Sequence, residues 1–180
     1  YDVSDDGTVI VGESYNSGNS QWRAFRWTPA NGMEDLGTLG GSYSYARAVS
    51  GNGHVIVGYA HLASGEGRAF RWTEAGGMQN LGTLGGDYSY ANAVNTDGSV
   101  VVGHANLAGN STHHAFRWTS SGMQDLGTLG GTWSYAYDVS GDGNVVVGQP
   151  GGHQAVAQPL LLAQHVGTGR SGGGGQQGEY

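Results

Sequence analysis

The chain has 180 residues, of which 36 are Gly and 3 are Pro, a composition that favours many tight turns over long helices. Its 14 acidic residues outnumber its 7 basic residues, all of them Arg, so no basic patch exists to neutralise a nucleic acid backbone. No apolar run approaches the roughly 20 residues of a membrane-spanning helix, and the absence of Cys excludes disulfides and thiolate metal sites.

An internal repeat organises the chain. The run Ala-Phe-Arg-Trp-Thr occurs at residues 24–28, 69–73 and 115–119, in steps of 45 and 46 residues. The run Gly-Thr-Leu-Gly-Gly follows it each time, and we predict about three and a half copies of one unit. The predicted division is repeat 1 at 1–41, repeat 2 at 42–86, repeat 3 at 87–131, a partial or degenerate repeat 4 at 132–166, and a flexible Gly-rich tail at 167–180.

Each unit is predicted to contain four short strands, which we call a to d in chain order. In the second unit these are strand a at 46–50, strand b at 54–60, strand c at 68–73 and strand d at 78–81. A Gly-Asn-Gly turn joins strands a and b, and Asp-Gly dipeptides stand there in the other units. Four strands per period is the count of a propeller blade, so the predicted fold is all-β and propeller-like. We expect no helix between residues 2 and 148, and allow one only at 154–165.

Strand b is predicted to be covered on both faces, because it is a Val-rich run in every unit. Propeller blades that stack face to face provide that cover. Phe25 and Trp27 share one face of strand c, and we expect them to form a wedge between blades.

Strand c also carries an Arg in every unit. A ring of Arg residues could bind an anion or act in catalysis, but an Arg inside a strand more often pairs with a carboxylate or stacks on an aromatic ring. We favour this structural role, with carboxylates on strand d as possible partners. The Arg residues are Arg26, Arg71 and Arg117, and the predicted partners are Asp35 and Asp125, replaced by Asn80 in the second unit.

The motifs of the third unit resemble the HAF family of extracellular bacterial repeats. They are His-Ala-Phe-Arg-Trp at 114–118, Gly-Met-Gln-Asp-Leu-Gly-Thr-Leu-Gly-Gly at 122–131 and Val-Ser-Gly-Asp-Gly at 139–143. The resemblance covers residues 1–148, although Arg23 and Arg68 replace the His in the other units. It implies a secreted or cell-surface bacterial protein, sometimes an autotransporter passenger, and it supplies no catalytic residues. The chain begins with Tyr1, inside a unit, and we expect its targeting signal to lie elsewhere.

The b–c connections, at 13–21, 61–67 and 106–113, differ in every copy and should lie at one rim with the d–a connections. Variable loops on a constant scaffold are the usual place for recognition. Aromatic residues at that rim could stack on sugar rings or anchor a protein, and the alternative, which we favour, is that they fill gaps between blades. These candidate binding residues are Tyr43, Tyr45, Tyr88, Tyr90, Trp133 and Tyr135.

Catalytic signals are weak. No pair of carboxylates is held at the separation of a glycosidase site. We interpret His104, His113 and His114 as solvated loop residues, and we predict no catalytic residue, no metal site and no cofactor.

Two function classes remain. The first, which we favour, is a non-catalytic extracellular or cell-surface module that acts as a scaffold or binds a glycan or protein. The alternative is part of a propeller enzyme that acts on extracellular polysaccharide. We also expect the isolated segment to self-associate, because residues 149–166 lack the strand c motif and an unclosed array leaves apolar blade faces bare.

Overall fold

The computed structural model describes residues 1–18, 20–151 and 162–163. Every regular element in these residues is a β-strand, and the strands form four antiparallel sheets that follow one another along the chain. The prediction of an all-β, propeller-like fold is confirmed. The predicted tail at 167–180 and most of the helix-permissive segment at 154–165 lie outside the described residues, and residues 162–163 are a strand.

We call the four sheets blades 1 to 4. Blade 1 contains β1 (Asp2–Val3), β2 (Ile10–Tyr15), β3 (Trp22–Thr28) and β4 (Gly32–Asp35). Blade 2 contains β5 (Gly40–Val49), β6 (Ile56–Leu62), β7 (Gly67–Thr73) and β8 (Gly77–Asn80). Blade 3 contains β9 (Gly85–Val94), β10 (Val101–Leu107), β11 (His113–Thr119) and β12 (Gly122–Asp125). Blade 4 contains β13 (Trp133–Val139), β14 (Val145–Gly151) and β15 (Leu162–Ala163).

Strands within each blade are paired in chain order, and the first strands of consecutive blades contact one another. The first strands therefore lie on the inner side of the array, and the fourth strands lie on the outer side. Backbone hydrogen bonds also join the a–b turns, from Asp5 N to Gly51 O (3.0 Å), from Asn52 N to Thr96 O (3.1 Å) and from Thr96 N to Gly141 O (3.3 Å).

The first strands of blades 2 and 3 begin earlier than predicted, at Gly40 and Gly85. In the second unit, the sequence predicts that this strand begins only at residue 46. Its first part pairs with the end of the second strand, where Tyr45 lies opposite Tyr59. Gly41 permits this approach, because a Cβ there would lie 2.4 Å from the carbonyl oxygen of Leu62. The aromatic residues assigned to the d–a connections are consequently strand residues.

The core consists of three apolar clusters, one at each junction between consecutive blades. Ile56 packs in the cluster shared with blade 1, whereas Val57 packs in the cluster shared with blade 3. Strand b is thus covered on both faces, as its composition predicts. Phe70 and Phe116 are both fully buried against the preceding blade, which confirms the aromatic wedge at these two junctions.

A buried Ser links each blade to the next. In the junction between blades 2 and 3, the Ser89 hydroxyl accepts a hydrogen bond from Ala69 N (2.9 Å) and donates one to Gly82 O (2.6 Å). Both backbone groups would otherwise lack a partner in the junction. The same arrangement joins Ser44 to Ala24 N and Gly37 O, and Ser134 to Ala115 N and Gly127 O.

The repeated Arg side chains bridge consecutive blades, which is the structural role favoured from the sequence, but Asp35 and Asp125 are not their partners. Arg71 Nε donates to Gly98 O (3.1 Å) and Arg117 donates to Gly143 O (3.3 Å), both on the a–b turn of the following blade. Arg26 instead pairs with Glu34 (3.2 Å) and Glu74 (3.6 Å) and lies over the ring of Trp72. Asp35 and Asp125 accept hydrogen bonds from Gly37 N and Gly127 N, which explains their position at the end of strand d.

Candidate functional site: an aromatic band

A continuous row of aromatic and imidazole rings crosses blades 2, 3 and 4 at the end of the array that carries the b–c connections. We call this row the aromatic band. Its rings come from the first and second strands of blades 2 and 3, from the start of the third strand of blade 3, and from the first strand of blade 4. Its members are Tyr43, Tyr45, Tyr59, His61, Tyr88, Tyr90, His104, His113, Trp133, Tyr135 and Tyr137.

In blade 2 the band is built on a cross-strand pair. Tyr45 and Tyr59 lie opposite each other and stack, with ring centroids 4.6 Å apart. Tyr43 lies beside Tyr45 (6.5 Å) and meets His61 edge-on at 5.4 Å. The pleat places these side chains on one face because residues two apart on a strand point the same way.

The band continues across the junctions between blades. Tyr59 meets Tyr90 of blade 3 edge-on at 4.7 Å, and Tyr90 stacks on His104 at 5.0 Å. His104 then meets Tyr135 of blade 4 edge-on at 4.7 Å. His113 joins the same junction, 4.6 Å from Tyr135.

The six residues predicted from the sequence are all in this region. Five of them make ring contacts within the band: Tyr43, Tyr45, Tyr90, Trp133 and Tyr135. Tyr88 is 38% exposed and lies next to Gly67, whose Cβ position is 3.6 Å from the Tyr88 ring. The contacts across the junctions show that several of these rings also fill space between blades.

The five members of the band that sequence reasoning missed are Tyr59, His61, His104, His113 and Tyr137. The interpretation of His104, His113 and His114 as solvated loop residues is wrong, because His104 lies on β10 and the other two lie on β11. His114 contacts the carboxylate of Asp125 at 2.9 Å. The register of the first hairpin could have identified Tyr59 and His104, since Tyr45 and Tyr90 lie opposite them.

The aromatic band is largely uncharged at neutral pH. Burial and, to a smaller extent, the neighbouring His113 lower the pKa of His104 to about 4. Burial, followed by the charge of His114, also lowers the pKa of His113. Burial raises the pKa values of Tyr45, Tyr90 and Tyr135, so these phenols stay protonated.

The junction of blades 1 and 2 adds a charged boundary to the band, formed by Arg47 of blade 2 and Glu13 of blade 1. The Arg47 guanidinium lies over the rings of Tyr1 (5.0 Å) and Tyr59 (5.7 Å), which is a cation–π geometry. The Tyr1 hydroxyl donates a hydrogen bond to Glu13 (2.7 Å). A ligand that crosses from blade 2 to blade 1 therefore passes from a neutral surface to a pair of opposite charges.

Three b–c hairpins flank the band and differ in length and composition. Backbone hydrogen bonds close them, from Asn16 N to Gln21 O, from Leu62 N to Glu66 O and from Leu107 N to Thr112 O. The third hairpin is also tied to the start of β9, because Asn110 accepts a hydrogen bond from Asp87 N (2.7 Å). Their tips carry Asn, Ser and Thr side chains, which supply hydrogen-bonding groups beside the rings.

The described residues contain no group of three or more His, Cys, Asp or Glu arranged to hold a metal ion. They also contain no helix that is long and apolar enough to cross a membrane. What the band offers chemically is a set of rigid neutral rings with polar edges, suited to stacking and hydrogen bonding.

Neither the protein-family models nor the curated proteins match this chain. Solved structures do resemble it. TolB from Acinetobacter baumannii superposes with a TM-score of 0.59 at 16% identity, over 84% of this chain and 37% of TolB. A protein assigned as TolB from Agrobacterium tumefaciens gives the same TM-score and identity, over 82% of this chain and 51% of its own.

TolB is a β-propeller protein, so these similarities establish the class of fold. At 16% identity they define the fold alone. The chain spans about a third to a half of the length of these two propellers.

Proposed function

We propose that this chain is a non-catalytic propeller module that binds an extracellular or cell-surface ligand through the aromatic band and the b–c hairpins. The resemblance to the HAF repeats supports the location outside the cell. The observation that carries the proposal is the continuity of the band, because eleven rings from three blades form one surface with flanking polar loops.

The exposure of the band supports binding in addition to packing. A ring that serves only to fill a junction is expected to be buried, as Phe70 and Phe116 are. Tyr88 and Tyr137 are 38% and 51% exposed, and the other members are half-buried. Their neighbours already hold them in place, so a ligand would bind with little loss of side-chain freedom.

A glycan is the ligand class that fits this surface best. The Tyr and Trp rings of the band carry no charge. Aromatic faces stack on the apolar faces of sugars, while Tyr hydroxyls and loop amides bond to sugar hydroxyls. The net charge of −7 disfavours acidic polymers. A protein ligand remains the second arm of the test, because the same rings could serve as rigid anchors.

The test is a glycan array probed with the purified chain, followed by calorimetric titration with the oligosaccharide that binds. Tyr88→Ala and Tyr137→Ala should each weaken binding by about 5-fold, because each removes one stacking ring at a cost of about 1 kcal/mol. Met33→Ala is the matched control, since Met33 is 59% exposed and lies on blade 1 away from the band.

Binding that both Tyr variants retain in full would contradict the proposed site. If no glycan binds, an array of cell-surface proteins with the same three variants tests the other ligand class. The absence of Tyr-dependent binding on both arrays would rule out the proposed function, and hydrolysis of an arrayed glycan would favour the enzyme alternative.

A further inference from the structure

Blade 1 exposes a face that is covered in the blades that follow it. We call the face of a blade that packs on the preceding blade its leading face, and the opposite one its trailing face. On the leading face of blade 1, Ile10 is 39% exposed and Met33 is 59% exposed. Their equivalents are protected in blade 2, where Ile56 is fully buried and Met78 packs against the core.

The same face carries Phe25 and Trp27, both half-buried. A cleft of about 270 Å³ opens there and is lined in part by Phe25, Met33 and Asp35. An apolar sheet face with two aromatic rings and a cleft is an unusual surface to leave in water.

The internal junctions show what such a face packs against. The equivalent rings of blade 2, Phe70 and Trp72, pack in one cluster with Val11 and Ala24 from the trailing face of blade 1. The equivalent rings of blade 3 pack on Val57 and Ala69 from the trailing face of blade 2 in the same way. A leading face of this repeat is therefore complementary to a trailing face of the same repeat.

Blade 4 presents a trailing face at the other end of the array. Val147 on this face is half-buried, whereas the equivalent residues Val57 and Val102 are fully buried in junctions. The a–b turns of consecutive blades are also aligned, because each turn donates a backbone hydrogen bond to the next one, as from Asp5 N to Gly51 O and from Thr96 N to Gly141 O. A further blade of the same kind could continue this series.

We infer that the leading face of blade 1 docks on the trailing face of blade 4 of a second copy, head to tail, continuing the stack of blades. The contact repeats the internal junction chemistry: Ile10, Phe25 and Trp27 of one copy cover Val147 of the other. The interface is heterologous, so each copy keeps one face of each kind for a further copy unless the ring closes. This inference is independent of the proposed ligand.

Sedimentation velocity of the purified chain over a wide concentration range is the test. The wild-type sedimentation coefficient should rise with concentration, and added salt should strengthen the association because each copy carries a net charge of −7. Ile10→Asp and Val147→Asp should each abolish association. Leu129→Asp is the control for an exposed apolar residue elsewhere, since Leu129 is 71% exposed, and it should associate like the wild type.

Mixing the two variants separates head-to-tail packing from other modes. Each Asp variant keeps one intact face, so an equimolar mixture should form a dimer that neither variant forms alone. A wild-type chain that stays monomeric would overturn the inference. The inference would also be overturned if the mixture of the two Asp variants stayed monomeric, or if Ile10→Asp associated as strongly as the wild type. Circular dichroism of each variant confirms that the fold is retained.

A monomer with the face of blade 1 protected from hydrogen exchange would show that another part of the same chain covers it, which also contradicts the inference. If only Ile10→Asp abolished association, two leading faces would be packing together, and the head-to-tail arrangement would be wrong.

Discussion

Blade 1 and blade 2 contain the same five-residue strand, Ala-Phe-Arg-Trp-Thr, but the two copies have different surroundings. In blade 2, Phe70 is fully buried against Val11 and Ala24 of the preceding blade. In blade 1, Phe25 is half-buried on a face with no preceding blade among the described residues. The strand sequence determines which way the ring points, whereas the neighbouring blade determines whether the ring is buried.

The Arg that follows each Phe shows the same dependence on the neighbour. Arg71 donates to a turn carbonyl of the next blade, whereas Arg26 pairs with two Glu residues, Glu34 and Glu74. Equivalent positions in different units therefore make different contacts. The apolar clusters of the core lie in the junctions between blades. The predictions below compare junction positions with their counterparts outside a junction.

The largest expected effect is the loss of a wedge ring. Phe70→Ala should lower the free energy of unfolding by about 3 to 5 kcal/mol, because it empties a fully buried aromatic position. Phe25→Ala should cost only about 1 to 2 kcal/mol, because the ring is already partly in water. Urea denaturation at a concentration where the chain is monomeric measures both. Equal costs for the two variants would show that the preceding blade contributes nothing to the burial of this strand.

Much of this architecture could be predicted from the residue pattern that recurs in every unit. The Val runs of strand b required cover on both faces, and Ile56 and Val57 do pack in separate junctions. The alternation of strand c placed Phe and Trp on one face, and the junction clusters contain these rings. Both inferences depend only on the alternation of side chains along a strand. They do not require knowledge of how one unit packs on the next.

The contacts that were missed depend on partners outside the strand on which the residue lies, in the preceding unit or across a hairpin. Ser44 stands between two Tyr residues and gives no local sign that it bonds to Ala24 N and Gly37 O. His104 reads as a loop residue until the register places it opposite Tyr90. A repeated Ser between two aromatic residues was the available signal, since a short polar residue that recurs in every unit is best explained by a recurring backbone partner.

The junction between blades 3 and 4 is expected to be sensitive to acid. The pKa of His104 in the folded chain is about 4, below the ordinary value of 6.5, because burial disfavours the imidazolium. Stability is therefore complete above about pH 6.5 and falls as the pH drops toward 4, where the unfolded chain binds the proton first. The loss should reach up to about 3 kcal/mol, and His113, whose pKa is also lowered, acts in the same direction.

His104→Tyr is the matched variant, because Tyr59 occupies the equivalent position of blade 2 and stacks there on Tyr45. Urea denaturation between pH 7 and pH 4.5 should show a smaller loss of stability for this variant than for the wild type. Hydrogen-bonded carboxylates do not obscure the result, since the pKa of Asp142 is lowered to about 2 and its effect falls at lower pH. Identical pH profiles for the two chains would place the titrating group outside this junction.

The smallest effect compares a Ser inside a junction with one outside it. Ser89→Ala should lower the free energy of unfolding by about 2 kcal/mol, because Ala69 N and Gly82 O both lose a buried hydrogen bond partner while little volume is removed. Ser42→Ala, at an exposed position near the start of the equivalent strand of blade 2, should change the free energy of unfolding by less than about 0.5 kcal/mol. Urea denaturation measures the difference in unfolding free energy between the two variants. Hydrogen exchange reports locally: in Ser89→Ala the Ala69 amide should lose more protection than the equivalent amides of Ala24 and Ala115. If Ser89→Ala proved neutral and the Ala69 amide stayed protected, a water molecule would have replaced the hydroxyl, and the Ser bridge would not contribute to the stability of the junction.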